Sequence, residues 1–457
     1  MDLFSPADRR PVHFVGIGGA GMSALALIAL RRGVPVSGCD NDPSGAADLA
    51  ALGAPVAAGH HPDHVDGARA VVVTAAVRPD HPELARAREL GLPVVPRKEA
   101  LAALIAGARS VAIAGTHGKT TTTVMTTEAL TAAGLAPTGL AGGRVSTWGG
   151  NARLASDELF VVEADEYDQA FLTLHPTVAV VNNVEPDHLE CYGSFDALEA
   201  AFATFAGRAE RVLVGVDDAG ARRLADRLGD RAWRFGTSED ADLRIGDVEQ
   251  GADGTRATVR LPDGQRVALR LRVPGLHNLR NATAALGSTI AMGGSVDGAL
   301  DALAAFAGVG RRFDRLGDAG GIELVDDYAH HPSELVATLD AARQAYPGRR
   351  LVAVFQPHLY SRTAEHGEAM GRALAAADLA VVTEIYAARE APMPGVSGRA
   401  VADAAGRAGV ETVFVAERAE VTSRVRALVR PGDLVLTLGA GDITRVGPEL
   451  KRLLARA

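Results

Sequence analysis

No stretch constrains the chain more than Ser110–Thr123, SVAIAGTHGKTTTT. Val111–Ala114 reads as a short buried strand and Gly115–Gly118 as a glycine-rich turn. Lys119 and the four threonines behind it open a helix. The N–H groups of such a turn, together with the positive end of the helix, form a cradle for a polyphosphate. Lys119 is placed to reach terminal phosphates, and the Thr120 hydroxyl to hold a magnesium ion. The full P-loop spacing asks for glycine where this chain has Ile113. The loop is therefore a shortened Gly-x-x-Gly-Lys-Thr, and its competing reading is an ordinary strand-to-helix turn.

At 457 residues the chain exceeds one hydrophobic core, and about three domains are expected. Its 47% hydrophobic and 23% charged residues are those of a soluble globular protein. A net charge of −9 argues against a general nucleic-acid or membrane-surface binder, so any anionic substrate must meet local positive charge. Cys39 and Cys191 show neither zinc spacing nor a disulfide framework, which points to a reducing compartment. Val12–Leu30 approaches the length of a membrane span. Its four glycines, all between Gly16 and Gly21, mark it as soluble core instead. A cytoplasmic protein without membrane insertion is expected, as a monomer or homodimer.

Val12–Val15 predicts a strand that runs through Gly16-Ile17-Gly18-Gly19-Ala20-Gly21 into a helix from about Met22 to Arg32. The next strand, Val34–Gly38, leads to Asp40, close to the usual place of a ribose-binding acid. A nucleotide diphosphate on that helix end is one reading; a nicotinamide cofactor is another. Short αβ units follow at Val71–Thr74 and Leu92–Val95, and a helix at Lys98–Ala106 leads to a boundary near Gly107–Arg109. Leu159–Val162 and Val178–Val181 read as buried parallel strands. Each ends in a polar cluster, Glu163-Ala164-Asp165-Glu166 and Asn182-Asn183-Val184-Glu185-Pro186-Asp187-His188. Ligands of open α/β sheets bind beyond strand C-termini, so both clusters should face the Gly115–Gly118 turn. Glu163 and His188 suit a divalent ion, whereas Asp165 and Glu166 serve equally well as helix caps. Thr255–Leu261 and Arg266–Leu271 predict a β-hairpin. A third αβ region opens around Gly308–Asp314, and its strands end at Asp326-Asp327-Tyr328-Ala329-His330-His331-Pro332, Phe355-Gln356-Pro357-His358 and Gly439-Ala440-Gly441-Asp442.

Nine segments in order, HFVGIGGAGMSALA, GTHGKTTTT, VVEADEYDQAFL, NNVEPDH, GLHNLRNA, GVGRRFD, DDYAHHPSEL, FQPHLYSRT and AREAPMPG, resemble the Mur ligases of peptidoglycan synthesis over nearly the whole chain. The resemblance implies a three-domain α/β fold. Its parts are a Rossmann-like UDP-binding domain (1–108), a P-loop ATPase domain with a small β extension (109–309), and a C-terminal Rossmann-like domain that closes over the amino acid (310–457). It also implies the activity of the branch that joins L-alanine to the lactyl carboxylate of UDP-N-acetylmuramate, with ATP as substrate and Mg2+ or Mn2+ as cofactor. Carried over by position, Gly16, Gly18, Gly19, Ala20, Gly21 and Met22 hold the UDP-sugar. Gly115, Thr116, His117, Gly118, Lys119, Thr120 and Thr121 hold ATP. Asn278 and Asn281 fall on the adenine motif and Arg312 on the phosphate-binding arginine. Thr120, Glu163 and His188 fall at the metals, and Tyr328, His330 and Arg362 at the amino acid.

The implied chemistry transfers the γ-phosphoryl of ATP to the carboxylate, and the amine of L-alanine then displaces phosphate. Positioning and charge neutralisation dominate such a transfer, so no enzyme nucleophile is needed. His188, His330 or a metal-bound group could take the amine proton. Three departures stand out: Leu359 where many members carry arginine, and Tyr167 and Gln169 where serine and alanine are commoner. Several sibling ligases place a carbamylated lysine soon after the metal-binding histidine. Here Leu189–Gly215 contains no lysine, and the chain has only Lys98, Lys119 and Lys451. Activity independent of bicarbonate is therefore expected. The rival readings are a ligase that adds a recycled tripeptide to the same sugar nucleotide, a nicotinamide-dependent dehydrogenase, and a non-catalytic nucleotide-binding regulator.

Overall fold

The computed structural model describes residues 2–251, 254–388 and 390–455; Arg389, in the last of the nine segments, lies outside them. Three sheets carry the chain. The first is wholly parallel: β1 (Val12–Val15), β2 (Val36–Asp40), β3 (Val56–Ala58), β4 (Ala70–Val73) and β5 (Val94–Pro96), in the order 3-2-1-4-5. The order reverses beside β1, and in open parallel sheets the crevice at that point takes the ligand.

The second sheet has ten strands: β6 (Arg109–Ala114), β7 (Thr138–Val145), β8 (Gly150–Arg153), β9 (Leu159–Glu163), β10 (Val178–Val181), β11 (Arg211–Gly215), β12 (Ala232–Gly236), β13 (Leu243–Gly251), β14 (Gly254–Arg260) and β15 (Arg266–Leu271). Their order is 15-14-13-12-11-10-6-9-7-8. β6 lies between β9 and β10, parallel to both, with Ile113 opposite Glu163 and Ala114 opposite Val181. The apolar runs of these three strands are buried, as two-sided coverage by helices demands. Along β14 and β15 burial alternates, as on a hairpin with one wet face.

The third sheet comprises β16 (Asp314–Ala319), β17 (Ile322–Asp327), β18 (Leu351–Phe355), β19 (Leu379–Thr383), β20 (Glu411–Val415) and β21 (Leu434–Leu438), in the order 16-17-21-18-19-20. Only the β16–β17 pair is antiparallel among its pairings.

The chain separates into two compact units. One holds residues 1–246, 258–268 and 280–304, hence the first sheet and most of the second; the other holds 247–257, 269–279 and 305–457, with parts of β13, β14 and β15. Polar ties help bind the first two sheets into one unit. Arg32 Nε donates to Asp157 Oδ1 at 2.7 Å, Lys98 Nζ lies 3.0 Å from Asp168 Oδ2, and Asn151 Nδ2 donates to Ser23 Oγ at 3.1 Å. Lys98 also donates to the Asp168 carbonyl, and Lys451 to the Leu316 carbonyl. Among the described residues no helix is long and apolar enough to cross a membrane.

Candidate active site

Sequence and structure agree most closely at the Gly115–Lys119 turn. β6 ends at Ala114 and the helix Lys119–Ala132 begins directly after Gly118. Gly118 has φ +79°, and a Cβ there would lie 2.6 Å from Asn281 Oδ1, so both backbone and space require glycine. The loop after β10 clamps the turn. The His117 N–H donates to Asn183 Oδ1 at 2.7 Å, the Glu185 N–H to Thr116 Oγ1 at 2.9 Å, and Asn182 Nδ2 to Thr122 Oγ1 at 3.0 Å. The polar cluster after β10 therefore does face the turn.

Lys119 Nζ donates to both oxygens of Glu166, at 2.7 and 2.8 Å, and to the Gly115 carbonyl at 2.8 Å. Burial alone would favour the neutral amine, but the carboxylates of Glu166, Asp165 and Glu163 outweigh it and hold the ammonium charged. Glu163 accepts from the Gly142 N–H and lies beside the Thr120 hydroxyl. Burial pushes its carboxyl above the usual range against these donors and Lys119. Thr121 is buried in the first turn of the same helix.

Glu166 is the residue that the sequence left between two roles. It makes no side-chain cap on the 3-10 turn that follows it; its carboxylate is 1% exposed and pairs with Lys119. Left-handed backbone at Asp168 and Gln169 (φ +54° and +53°) shapes that turn, and nothing local in the sequence announces it. His188, also left-handed at φ +55°, starts the short helix Leu189–Tyr192. Its ring stands edge-on to Tyr167 with centroids 5.1 Å apart, in the neighbourhood of Glu166. Lys119, Thr120, Glu163 and Glu166 thus form one cluster, with His188 on its flank.

The Gly16–Gly21 turn is built differently. The Gly16 and Ile17 N–H groups donate to the Cys39 carbonyl, and the Gly18 N–H to Asp40 Oδ2 at 2.9 Å. Asp40 holds the turn itself. A Cβ on Gly18 would meet the Asp42 carbonyl at 2.6 Å. Gly19 precedes the helix Ala20–Arg31, which has no side-chain cap and no acid in its first turn. Arg97 lies against Gly21, its Nη1 2.9 Å from where a Cβ would stand, and brings a cation that the motif did not announce. Met22 departs from its expected role. Its side chain is 2% exposed in the core and its N–H donates to the Gly19 carbonyl, so neither is presented to a ligand.

Asn278 is buried and donates back to the Pro274 carbonyl at 2.7 Å, bracing its own helix start, whereas Asn281 faces Gly118. In the second compact unit the structure gathers Arg312, Tyr328, His330 and Arg362. The guanidinium of Arg312 stands 4.8 Å from the Tyr328 ring centre, and that of Arg311 4.7 Å. Since a carbonyl only accepts, the 2.9 Å contact of His330 Nδ1 with the Tyr328 carbonyl puts the proton on Nδ1 and leaves Nε2 as acceptor. Burial drives the His330 pKa down to about 3, and Arg362 reinforces it. A group that weakly basic is a poor general base, so the geometry favours hydrogen-bond acceptance by His330 over proton removal. Glu334, also absent from the expected set, lies 3.3 Å from His330 and 3.8 Å from Arg312. Asp327, pushed up to about 6 by burial, accepts from the Phe313 and Ala329 N–H groups and so supports the strand end. Arg362 lies in the first turn of the helix Tyr360–Leu374, entered through Leu359 at φ +68°.

Three family models match the chain: "Mur ligase family, catalytic domain" over residues 11–109, "Mur ligase middle domain" over 113–289, and "Mur ligase, glutamate ligase domain" over 311–441. A UDP-N-acetylmuramate--L-alanine ligase of Streptomyces avermitilis is 46% identical over 456 residues, covering 98% of each chain. The chain belongs to the Mur ligase family. Another Mur ligase relative, a UDP-N-acetylmuramate--L-alanine ligase of Burkholderia pseudomallei, is 44% identical over 96% of this chain and 97% of its own. Among solved structures, the UDP-N-acetylmuramate-alanine ligase MurC of Thermotoga maritima superposes with TM-score 0.85 at 30% identity, covering 98% of this chain and all of its own. A murein peptide ligase from Psychrobacter arcticus reaches TM-score 0.73 at 25% identity, over 98% and 99% of the two chains. The three α/β sheets are those of the three-domain Mur ligase fold.

Proposed function

We propose that this chain joins L-alanine to the lactyl carboxylate of UDP-N-acetylmuramate at the expense of ATP, releasing ADP and phosphate in the synthesis of a peptidoglycan precursor. The observation that carries the reading is the buried Lys119–Glu166 pair beneath a phosphate-binding turn, in a chain alignable end to end with L-alanine-adding relatives. Tripeptide addition is less supported, because the murein peptide ligase neighbour superposes less closely than the L-alanine ligase. The domain limits 1–108, 109–309 and 310–457 belong to this reading, as does a cytoplasmic location, where Cys39 and Cys191, which form no disulfide, stay reduced.

In this reading the amides of Gly115–Lys119 hold the phosphates of ATP, and Lys119 exchanges Glu166 for phosphate oxygens. The carboxylate oxygen of the sugar nucleotide takes the γ-phosphoryl, becoming part of a leaving group. The L-alanine amine attacks the carbonyl carbon, the C–O bond to phosphate breaks, and the amine proton passes to a base. His330 is too weakly basic to take that proton. His330 Nε2 accepts a hydrogen bond from the incoming ammonium, while Arg362 faces the amino-acid carboxylate. Thr120, Glu163 and His188 offer hydroxyl, carboxylate and imidazole donors. The burial that penalises an uncompensated Glu163 carboxylate makes this set fit Mg2+ or Mn2+. Such an ion neutralises charge on the transferring phosphoryl. The test is phosphate release with UDP-N-acetylmuramate, ATP and either L-alanine or the tripeptide. Release with L-alanine and not the tripeptide is expected; the opposite pattern would move the chain to the recycling branch.

A further inference from the structure

A cluster of metal-ligating side chains lies in the first sheet, away from the ATP turn. Glu83, second residue of the helix Pro82–Glu89, is fully buried, as is Cys39 on β2; His13 on β1 is 1% exposed. Cys39 Sγ lies 3.0 and 3.1 Å from the two Glu83 oxygens, 3.6 Å from His13 Nε2 and 3.3 Å from His60 Nδ1. Glu83 is 3.8 Å from both His13 Nε2 and His60 Nδ1. A tetrahedral zinc ion with bonds of 2.0–2.3 Å spaces its ligand atoms about 3.3–3.7 Å apart. Of the six distances, 3.3 and 3.6 Å fall in that range, 3.0 and 3.1 Å lie just below it and the two of 3.8 Å just above.

The surroundings are those of a built site. His13 Nδ1 is 3.0 Å from Ser37 Oγ, which turns Nε2 inward. Glu83 is further held by His64 Nδ1 at 2.8 Å and by the His61 N–H at 3.1 Å. The ring of His81 packs edge-on against His60 with centroids 4.6 Å apart, and its buried Nδ1 has no hydrogen-bond partner. Val15, Val65, Val71, Leu84 and Ala87 wall the cluster from water.

We propose that His13, Cys39 and Glu83, whose ligand atoms all lie within 4.8 Å of one another, bind one zinc ion, with His60 beside them. The mixed thiolate, imidazole and carboxylate set suits zinc among divalent ions. On binding, the Cys39 S–H bond breaks, the sulfur pair goes to the metal and the proton to solvent. The ion ties β1, β2 and the helix Pro82–Glu89 together beneath the Gly16 turn, whose N–H groups rest on the Cys39 carbonyl. The inference is independent of which ligation the enzyme performs.

The test uses the full chain, produced with zinc and dialysed, its metal content measured by mass spectrometry. Cobalt then replaces zinc and the absorption spectrum is recorded. About one zinc ion per chain is expected, with a thiolate-to-cobalt charge-transfer band that survives Cys191→Ser and is lost in Cys39→Ser. Glu83→Gln should lose the metal as well. Should either variant fail to fold, the wild-type cobalt spectrum and the Cys191→Ser control decide alone. Only traces of zinc, no charge-transfer band and a melting temperature indifferent to added zinc would show the cluster to be a hydrogen-bonded network and overturn the proposal.

Discussion

Two glycine-rich turns in this chain share one local design and differ in their chemistry. Each follows a buried parallel strand at the centre of its sheet, and each opens a helix without a side-chain cap. At Gly16–Gly21 the turn is pinned by a single aspartate, with Arg97 alongside. At Gly115–Lys119 the turn carries its own lysine, set against three carboxylates. In the proposed reading, a helix end with one cation nearby would hold a diphosphate and leave it unchanged. One surrounded by opposed buried charges can exchange partners as charge moves during phosphoryl transfer. In the proposed reading, backbone shape suits each turn to phosphate, and side-chain charge separates storage from chemistry.

Lys119→Ala breaks the comparison most severely. Turnover should fall about 1,000-fold or more, some 4 kcal/mol of transition-state stabilisation. UDP-sugar binding by calorimetry should persist. The variant should also lose about 3 kcal/mol of stability by denaturant melting, because Glu166 is left buried without its cation. Adding Glu166→Gln should restore stability and leave turnover absent; recovery of both would mean that Lys119 serves the fold alone.

Gly18→Ala probes the other turn. Since a Cβ there meets the Asp42 carbonyl, the Michaelis constant for the UDP-sugar should rise roughly 10- to 100-fold, while that for ATP changes less than about 3-fold. Equal damage to both constants would dissolve the division of labour. Neither turn holds the amino acid in this account, so Arg362→Ala should raise the Michaelis constant for L-alanine about 10-fold and spare both nucleotides. Lost ATP affinity in that variant would place the residue at the nucleotide instead.

Smaller effects come from pH. His330 has a folded pKa of about 3 against an ordinary 6.5, so between these values the unfolded chain binds the proton and the folded one refuses it. Stability should fall as pH drops through this window. Asp327, at about 6 against 3.8, retains its proton when folded and acts the other way over a narrower range. His330→Gln should flatten the acid limb of a melting-versus-pH curve; an unchanged limb would mean that His330 is not held neutral. Bicarbonate, added to enzyme kept free of carbon dioxide at mildly acidic pH, should change activity not at all. A fall and rescue would require a carbamate on Lys98 or Lys451.

The fold was legible where burial is two-sided. Val12–Val15, Val178–Val181, Arg266–Leu271 and Leu434–Leu438 are strands as read, because an apolar run or clean alternation leaves little choice. Helix starts drifted by a residue or two: Ala20 and Arg97 open helices expected at Met22 and Lys98, since glycine and proline entries carry no cap signal. Strand Val36–Asp40 begins later than read and carries Asp40 on its end. Of the site, residues on strand ends and in the glycine turns could be read in advance. Glu166, Arg97 and Glu334 could not, because which acid turns inward or which arginine folds over a helix end is decided by tertiary packing. The cluster around Cys39 is the extreme case. Its members are spread over seventy positions, from His13 to Glu83, and no spacing rule joins them until the sheet does.

The account stands on activation of the carboxylate as an acyl phosphate, and heavy oxygen tests that directly. UDP-N-acetylmuramate labelled in its lactyl carboxylate is turned over with ATP and L-alanine, and the released phosphate is weighed by mass spectrometry. If the γ-phosphoryl moves to the carboxylate and the amine then displaces it, each phosphate carries away one labelled oxygen. Phosphate released without label, alongside labelled product, would contradict the assignment of the Lys119 cluster to phosphoryl transfer onto the sugar nucleotide.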